Sequence, residues 1–420
     1  MQESVTEGKS ALRDIPFMGV IWVVDEAMKL GFYNGHPDWS NLGQGQPEVG
    51  EINGAPPRIS NFSIEPSDQA YGPINGMGQL REAIANHYNR LYRKDKTSKF
   101  TAENVSVAMG GRLELSRIFA SMGKVRLGYK IPDYTAYEDM INYQEGRVNP
   151  ILIPTREENG FVTPGEQFGE IISENQLDVY LLSNPCNPTG TVIRGTELES
   201  YVYAARNHRC MLVADEFYSH FIYDGNEPGK GPVSTMEFVE DVNYDPVIAV
   251  DGLTKSYRYP GWRIGWAIGP KDLIETLGRA ASAIDGGPSQ PMQRAALRVL
   301  DPDYADQETA ALRNVFSRKR NIMLKSLREM GILCTIEPES TFYIWTDISQ
   351  LPKPINNADD FFFAALEEKV MTVPGHYFDV NPGKIPRDSQ FNQCVRFSFG
   401  PPEDNMVMGL ERLEKLIKSY

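Results

Sequence analysis

Of the 420 residues only four are cysteines, Cys186, Cys210, Cys334 and Cys394, and no two of them form a CxxC pair. That spacing excludes a zinc ribbon or a dithiol redox motif, and so long a chain has no need of a disulfide framework. Buried free thiols are expected instead. Histidine is nearly as scarce: His36, His87, His208, His220 and His376 show no metal-ligand spacing. His220 stands out only because it lies two residues beyond Tyr218. Long apolar runs are missing too. The longest, such as 20–24 and 361–366, are far too short to span a bilayer. The polar opening MQESVTEGKS lacks a charged n-region followed by an apolar core. There is no GxGxxG, no GxSxG, no internal repeat and no low-complexity block. The stretch 225–231 imitates a phosphate loop only superficially, because no Ser or Thr follows Lys230. Basic residues are in deficit, 42 Lys+Arg against 56 Asp+Glu, for a net charge of -14. Such a surface repels nucleic-acid phosphates and anionic membranes. A cytoplasmic protein with neither nucleic acid nor membrane as partner is expected.

What is present is an average globular composition, 41% hydrophobic and 23% charged, in a chain long enough for a large core. From about 71 to 299, short apolar runs alternate with helical patterns, which predicts a parallel α/β sheet. The runs 125–131, 148–153, 179–182, 211–214, 247–250 and 264–268 suit strands covered on both faces. Leu80, Ile84, Tyr88 and Leu91 recur at helical spacing, and a second helix should begin at Gly110-Gly111 with Leu115, Ile118 and Phe119 inward. Near Pro302 the pattern changes to a long amphipathic helix over 304–330, short runs at 334–336 and 342–345, and a helix near 358–369. A strand at 395–399 and a closing helix with Met406, Leu410, Leu413 and Ile417 on one stripe follow. These predict a smaller α+β lobe. The first fifty residues, rich in Pro and Gly clusters, are expected as an extended arm against it. The expected domains are 60–302 for the large unit, and 1–59 with 303–420 for a discontinuous small one.

Three predicted strands end in polar signatures. The run 179–182 leads into Ser183-Asn184-Pro185-Cys186-Asn187-Pro188-Thr189-Gly190, whose double Asn-Pro forces extended or turn backbone and leaves amide side chains off the strand end. By itself it reads as well as a plain turn. The run 211–214 leads into Asp215-Glu216-Phe217-Tyr218. Neighbours on a strand face opposite ways, so Asp215 and Glu216 are not a paired dyad. An acid ending an apolar strand is costly to bury unless a cation meets it, and a polar loop cap is the alternative. The run 247–250 leads into DGLTKSYRYPGWRIG, residues 251–265. Lys255 therefore lies just past a strand's C-terminal end, where open α/β sheets bind ligands. Around it Asp251 alone opposes Lys255, Arg258 and Arg263 across 251–270, a basic island in an acidic chain.

Together these segments resemble the class I and II aminotransferases, fold type I of the pyridoxal-phosphate enzymes. The 183–190 stretch is similar to that family's NPxNPTG motif, 215–218 to its DExY motif and 254–265 to its Lys-to-GxRxG segment. YGPINGMGQLR (71–81) resembles its YxxxxGxxxLR stretch, CVRFSF (394–399) its late Arg motif, and Val373-Pro374-Gly375 with Phe378 its small-domain turn. The resemblance covers nearly the whole chain and keeps the family order. It implies a mostly parallel sheet flanked by helices, a small α+β domain made from both termini, and a homodimer with shared active sites.

It also implies roles. Lys255 would form a Schiff base with pyridoxal 5'-phosphate and, once displaced, act as general base on the substrate Cα. Asp215 would keep the pyridine nitrogen protonated, making the ring an electron sink. Asn187 and Tyr218 would hydrogen-bond the ring's phenolic oxygen, and Tyr134 would stack on its face. Gly111 and Arg112 at a helix start, Thr254 and Arg263 would hold the phosphate, with Tyr71 reaching it from the neighbouring subunit. Arg396 would clamp the substrate carboxylate, with Asn187 and Gly45 beside it. The implied reaction moves an amino group between an L-amino acid and a 2-oxo acid. Lyase, cyclase or oxidase chemistry on the same cofactor is the alternative, and a regulator fused to a DNA-binding domain is disfavoured because no basic helix-turn-helix precedes Tyr71. Two positions depart from the family. Gly252 stands where a Ser or Thr usually offers its hydroxyl to the phosphate, a loss that Thr254, Ser256 or Arg258 would make good. Ser340 stands where a Gly commonly precedes the 342–345 strand. For the substrate side chain, Tyr33, Trp39, Gln44 and Gln46 are the expected lining.

Overall fold

The computed structural model describes residues 19–223 and 231–420; the first 18 residues of the expected arm and nearly all of the 225–231 stretch lie outside the described residues. Seven strands form one sheet in the spatial order Val105–Ala108, Gly265–Ile268, Val247–Gly252, Met211–Asp215, Val179–Ser183, Val125–Tyr129, Val148–Leu152. The last five of these run parallel to one another. Gly265–Ile268 is antiparallel to both of its neighbours. The strand Val105–Ala108 escapes sequence reading because its four residues include Ser106 and stop two residues before Gly110. Side chains alternate between two cores, as a two-residue period requires: Val179, Leu181 and Val213 on one face, Tyr180, Leu182 and Leu212 on the other. Helices Gly111–Ser121, Gly165–Asn175, Thr196–His208 and Lys271–Ile284 supply the covering layers.

Beyond Leu300 the 28-residue helix Pro302–Glu329 runs toward the second lobe, started by the Asp301 carboxylate accepting from the backbone N–H of Asp303 and Tyr304. There a three-stranded antiparallel sheet orders Val373–Pro374, Cys394–Ser398 and Tyr343–Asp347. Helices Ala358–Glu367 and Glu403–Ser419 cover it, the latter burying Met406, Leu410 and Leu413. The 334–336 run is no strand; only Leu333 bridges to Asp347. Ser40–Asn41 pairs in parallel with Val370–Met371, which ties the N-terminal segment into the same lobe.

The expected extended arm is corrected over its first described residues, where Gly19–Lys29 is an α-helix. The reason is local. Residues 19–30 contain no proline, Val23 and Ala27 fall one turn apart and are buried, and Gly31 ends the helix in the left-handed region at φ 94. Trp22 packs on Phe362 at 4.9 Å and on Tyr377 at 5.3 Å between ring centres. Such aromatic contacts, about 0.5–1.5 kcal/mol each beyond area burial, anchor the helix to the small lobe. All four cysteines are free thiols, Cys186 and Cys210 buried, Cys334 and Cys394 half-buried. Among the described residues no helix is long and apolar enough to cross a membrane.

Candidate active site

Strand ends bring the polar signatures together. Asp215 closes the strand Met211–Asp215 beside Ser183, the last residue of its neighbour. Lys255 follows three residues after the strand Val247–Gly252. Arg396 comes from the other lobe, mid-strand in Cys394–Ser398 opposite Trp345. All three line one cavity of about 540 Å³, together with Gly45, Gly111, Arg112, Tyr134, Asn187, Tyr218, Thr254 and Arg263. Of the residues expected to hold the cofactor or the substrate carboxylate, Tyr71 is absent from it; that side chain is fully exposed. Glu216, as strand alternation requires, faces away and accepts hydrogen bonds from the Ser234 hydroxyl and from Thr235.

Burial sets the protonation states. The Lys255 amine is lowered to about 7, first by burial, then by repulsion from Arg112 and Arg396, which outweighs attraction by Asp215. A substantial unprotonated fraction near neutral pH makes it a nucleophile. Its Nζ donates to the Gly45 carbonyl. Burial pushes the Asp215 carboxyl up to about 6, and the Tyr137 hydroxyl, donating to Oδ2 at 2.8 Å, pulls it back. The Arg396 guanidinium donates to Asn187 Oδ1 at 2.9 Å and to the Gly43 carbonyl at 2.7 Å, and lies 3.9 Å above the Tyr343 ring centre. Its Nε is buried with no hydrogen-bond partner among the described residues. The cavity thus combines a nucleophilic amine, a buried acid and a fork with donor capacity to spare.

The sequence profile described as "Aminotransferase class I and II" matches residues 37–413, which span both lobes and every one of these strand ends. The chain belongs to that family. An aspartate aminotransferase of Streptomyces avermitilis is 30% identical over 92% of this chain and 89% of that one. An aromatic-amino-acid aminotransferase of Thermococcus litoralis is 26% identical, over 90% and 91%. In fold, the crystal structure of an aminotransferase from Mycobacterium tuberculosis superposes with a TM-score of 0.79 at 22% identity, covering 98% of this chain and 100% of that one.

Several expectations for this aminotransferase need correction. Arg258 cannot replace the hydroxyl missing at Gly252. It is buried and turned away, its Nε donating to Glu308 at 2.6 Å and a terminal nitrogen to the Gly50 carbonyl at 2.6 Å. Ser256 donates to the Phe217 carbonyl at 3.2 Å, so of the three substitutes only Thr254 lines the cavity. Gly252 itself has no room for a side chain. A Cβ there would fall 2.6 Å from the Ile264 carbonyl oxygen and 3.1 Å from the Phe217 ring. Ser340 is tolerated because the left-handed residue of its turn is the next one, Thr341, at φ 65. Trp39 is buried against Phe32 and Tyr33 points outward beside His36, so neither lines the cavity, while Gln44 and Gln46 do. His220 is also away from it, bonding Thr309 at 2.7 Å in the core.

The cavity wall also contains residues that motif reading missed: Val20, Ile21 and Val24 from the first helix, Asn34, Phe217 and Tyr343. Tyr137, which holds Asp215, was missed as well. Its only signal is position, one helical turn after Tyr134 at the start of Ala136–Asn142.

Proposed function

We propose that this aminotransferase uses pyridoxal 5'-phosphate bound in the 540 Å³ cavity to move an amino group between an L-amino acid and a 2-oxo acid. One observation carries the reading: the Lys255 amine, lowered to about 7, shares a cavity with buried Asp215 and with an Arg396 whose Nε is unsatisfied. The residues fit that cofactor. Arg112 and Arg263, with the backbone N–H groups at the start of Gly111–Ser121 and the Thr254 hydroxyl, would take its phosphate; Asp215 would face its ring nitrogen. Asn187 and Tyr218 would meet its phenolic oxygen and Tyr134 its ring face. When bound, the cofactor supplies an electron sink for the charge left at the substrate Cα.

The chain's own groups do the rest. Arg396 holds the substrate carboxylate as a bidentate fork and thereby fixes where the Cα proton points. Lys255 Nζ takes that proton and returns it two atoms away, on the far side of the substrate nitrogen. Gly45 closes over the substrate, its carbonyl already engaged by Lys255. Tyr71, fully exposed here, would complete the phosphate site of a second copy in a homodimer, a reading supported by exposed Ile64, Ile74 and Met109. Residues 60–302 would form the cofactor-binding unit, and 1–59 with 303–420 the small one. Four free thiols suit a reducing, cytoplasmic setting.

The test is a panel of amino acids with the purified holoprotein, following its visible spectrum. Loss of the visible band on adding an amino acid, and its return on adding a 2-oxo acid, is expected. Release of ammonia without accumulation of the amine form of the cofactor would overturn transfer in favour of elimination or oxidation. Lys255→Ala should abolish both the band at neutral pH and turnover; a variant that keeps both would refute the site.

A further inference from the structure

Tyr343 touches two separate parts of the site at once. Its hydroxyl lies 2.9 Å from the Tyr218 hydroxyl, between residues 125 apart in the chain. Its ring lies under the Arg396 guanidinium at 3.9 Å, with Phe378 at 5.0 Å from the same cation. Its side chain is buried, yet it lines the cavity, and Gly45 sits near its oxygen. The turn that delivers it stores strain: Thr341 is held at φ 65, and its hydroxyl accepts from the Tyr343 backbone N–H at 3.1 Å. Such non-glycine conformations persist where the surroundings enforce them, often at functional sites.

We propose that Tyr343 is a positioning residue that couples the carboxylate clamp to proton handling at Tyr218. The proposal rests on the reading of the cavity as a pyridoxal-phosphate site. The direction of the hydrogen bond follows from charge. A guanidinium over the Tyr343 ring favours loss of its proton more than loss from Tyr218, so Tyr343 is the better acid of the pair and donates. Tyr218 then keeps its own proton free to point into the cavity. A phenol that accepts one hydrogen bond is a stronger donor in the next, so Tyr343 strengthens whatever bond Tyr218 makes to an anionic oxygen. The same ring fixes the plane of the Arg396 fork, and a bidentate bond depends on that plane. Tyr343 thus serves binding through its ring and chemistry through its hydroxyl.

Two substitutions in the holoenzyme separate these roles. Tyr343→Phe keeps the ring and removes the hydroxyl. Tyr218 then donates less well, the cofactor's phenolic oxygen becomes more basic, and the pH at which the visible band titrates should rise by about half to one unit. Turnover should fall about five- to tenfold, the loss of one hydrogen bond, with KM for the amino acid changed less than about threefold. Tyr343→Leu should in addition raise KM about tenfold or more, through the unsupported Arg396. A Tyr343→Phe enzyme with wild-type titration and turnover overturns the hydroxyl role, and a Tyr343→Leu enzyme with unchanged KM overturns the ring role. If the wild-type protein shows no Lys255-dependent visible band at all, the reading of the site itself has failed, a result distinct from either.

Discussion

Gly252→Ser would restore the hydroxyl that the family usually places three residues before the lysine, so motif logic expects it to tighten cofactor binding. The structure predicts the opposite. The added Cβ would lie 2.6 Å from the Ile264 carbonyl oxygen, 2.8 Å from Gly265 Cα and 3.1 Å from Phe217 Cε1. The first two are backbone atoms of the paired strand, where Gly252 sits opposite Gly265. No rotamer change moves them, so the end of the strand pair must open. Overpacking of this kind costs about 1–3 kcal/mol. The hydrogen bond from Leu253 N to the Ile264 carbonyl, 3.0 Å, would break with it and add about 1 kcal/mol.

The assay is thermal and urea unfolding of the cofactor-free protein, since bound ligand would mask the change by mass action. A lower unfolding midpoint is expected, with weaker pyridoxal phosphate binding because Lys255 is only three residues on. Phe217→Ala in the same background is the internal control. It removes the 3.1 Å contact and leaves the backbone ones, so it should not rescue stability. A Gly252→Ser protein as stable as wild type and binding cofactor more tightly would refute the packing argument. Rescue by Phe217→Ala would show that the ring, and not the strand, is the obstacle.

Two further outcomes can be checked. Tyr137→Phe removes the one side-chain donor to Asp215 among the described residues, so its carboxyl should rise further above about 6; turnover near neutral pH should drop about tenfold and the acid limb of the pH–rate profile should move to higher pH. Glu216→Gln tests the carboxyl that burial pushes to about 7. Folded Glu216 binds more protons than the unfolded chain between pH 4.5 and about 7, so wild type should gain stability relative to the variant as pH falls from 8 to 5; a pH-independent difference, measured by urea unfolding, would refute it.

The parallel strands were legible because each is a continuous apolar run ending in a polar signature, and those ends carry Asp215, Asn187 and Lys255 into the cavity. Arg396 was legible from its motif, though no pattern shows that it crosses from the other lobe. Tyr343 was read only as part of a strand. Alternation reveals which face a side chain takes, but not that its hydroxyl meets Tyr218, a contact 125 residues away in sequence. The first helix was hidden for a different reason: its apolar positions Val20, Val23, Val24 and Ala27 occupy little more than about two turns and are flanked by Pro and Gly clusters.

The least legible feature is one that no single motif contains. Phe217, from the 215–218 signature, places its ring where a side chain at Gly111 would stand, a Cβ there falling 2.1 Å from Cε2 and Cζ, and close beside the Gly252 site, 3.1 Å from Cε1. Read alone, Gly252 is a missing hydroxyl and Phe217 only the variable position of its motif. The two sites meet at one ring: Phe217 fills the space beside the helix start and also touches the Gly252 site, whose nearest atoms are the backbone of Ile264 and Gly265. Burial of a ring of this size is worth about 1.5–3 kcal/mol, so Phe217 does not readily give way to a side chain at Gly111. It follows that reverting one glycine cannot restore the family arrangement; Phe217 and the strand opposite Gly252 would have to change together.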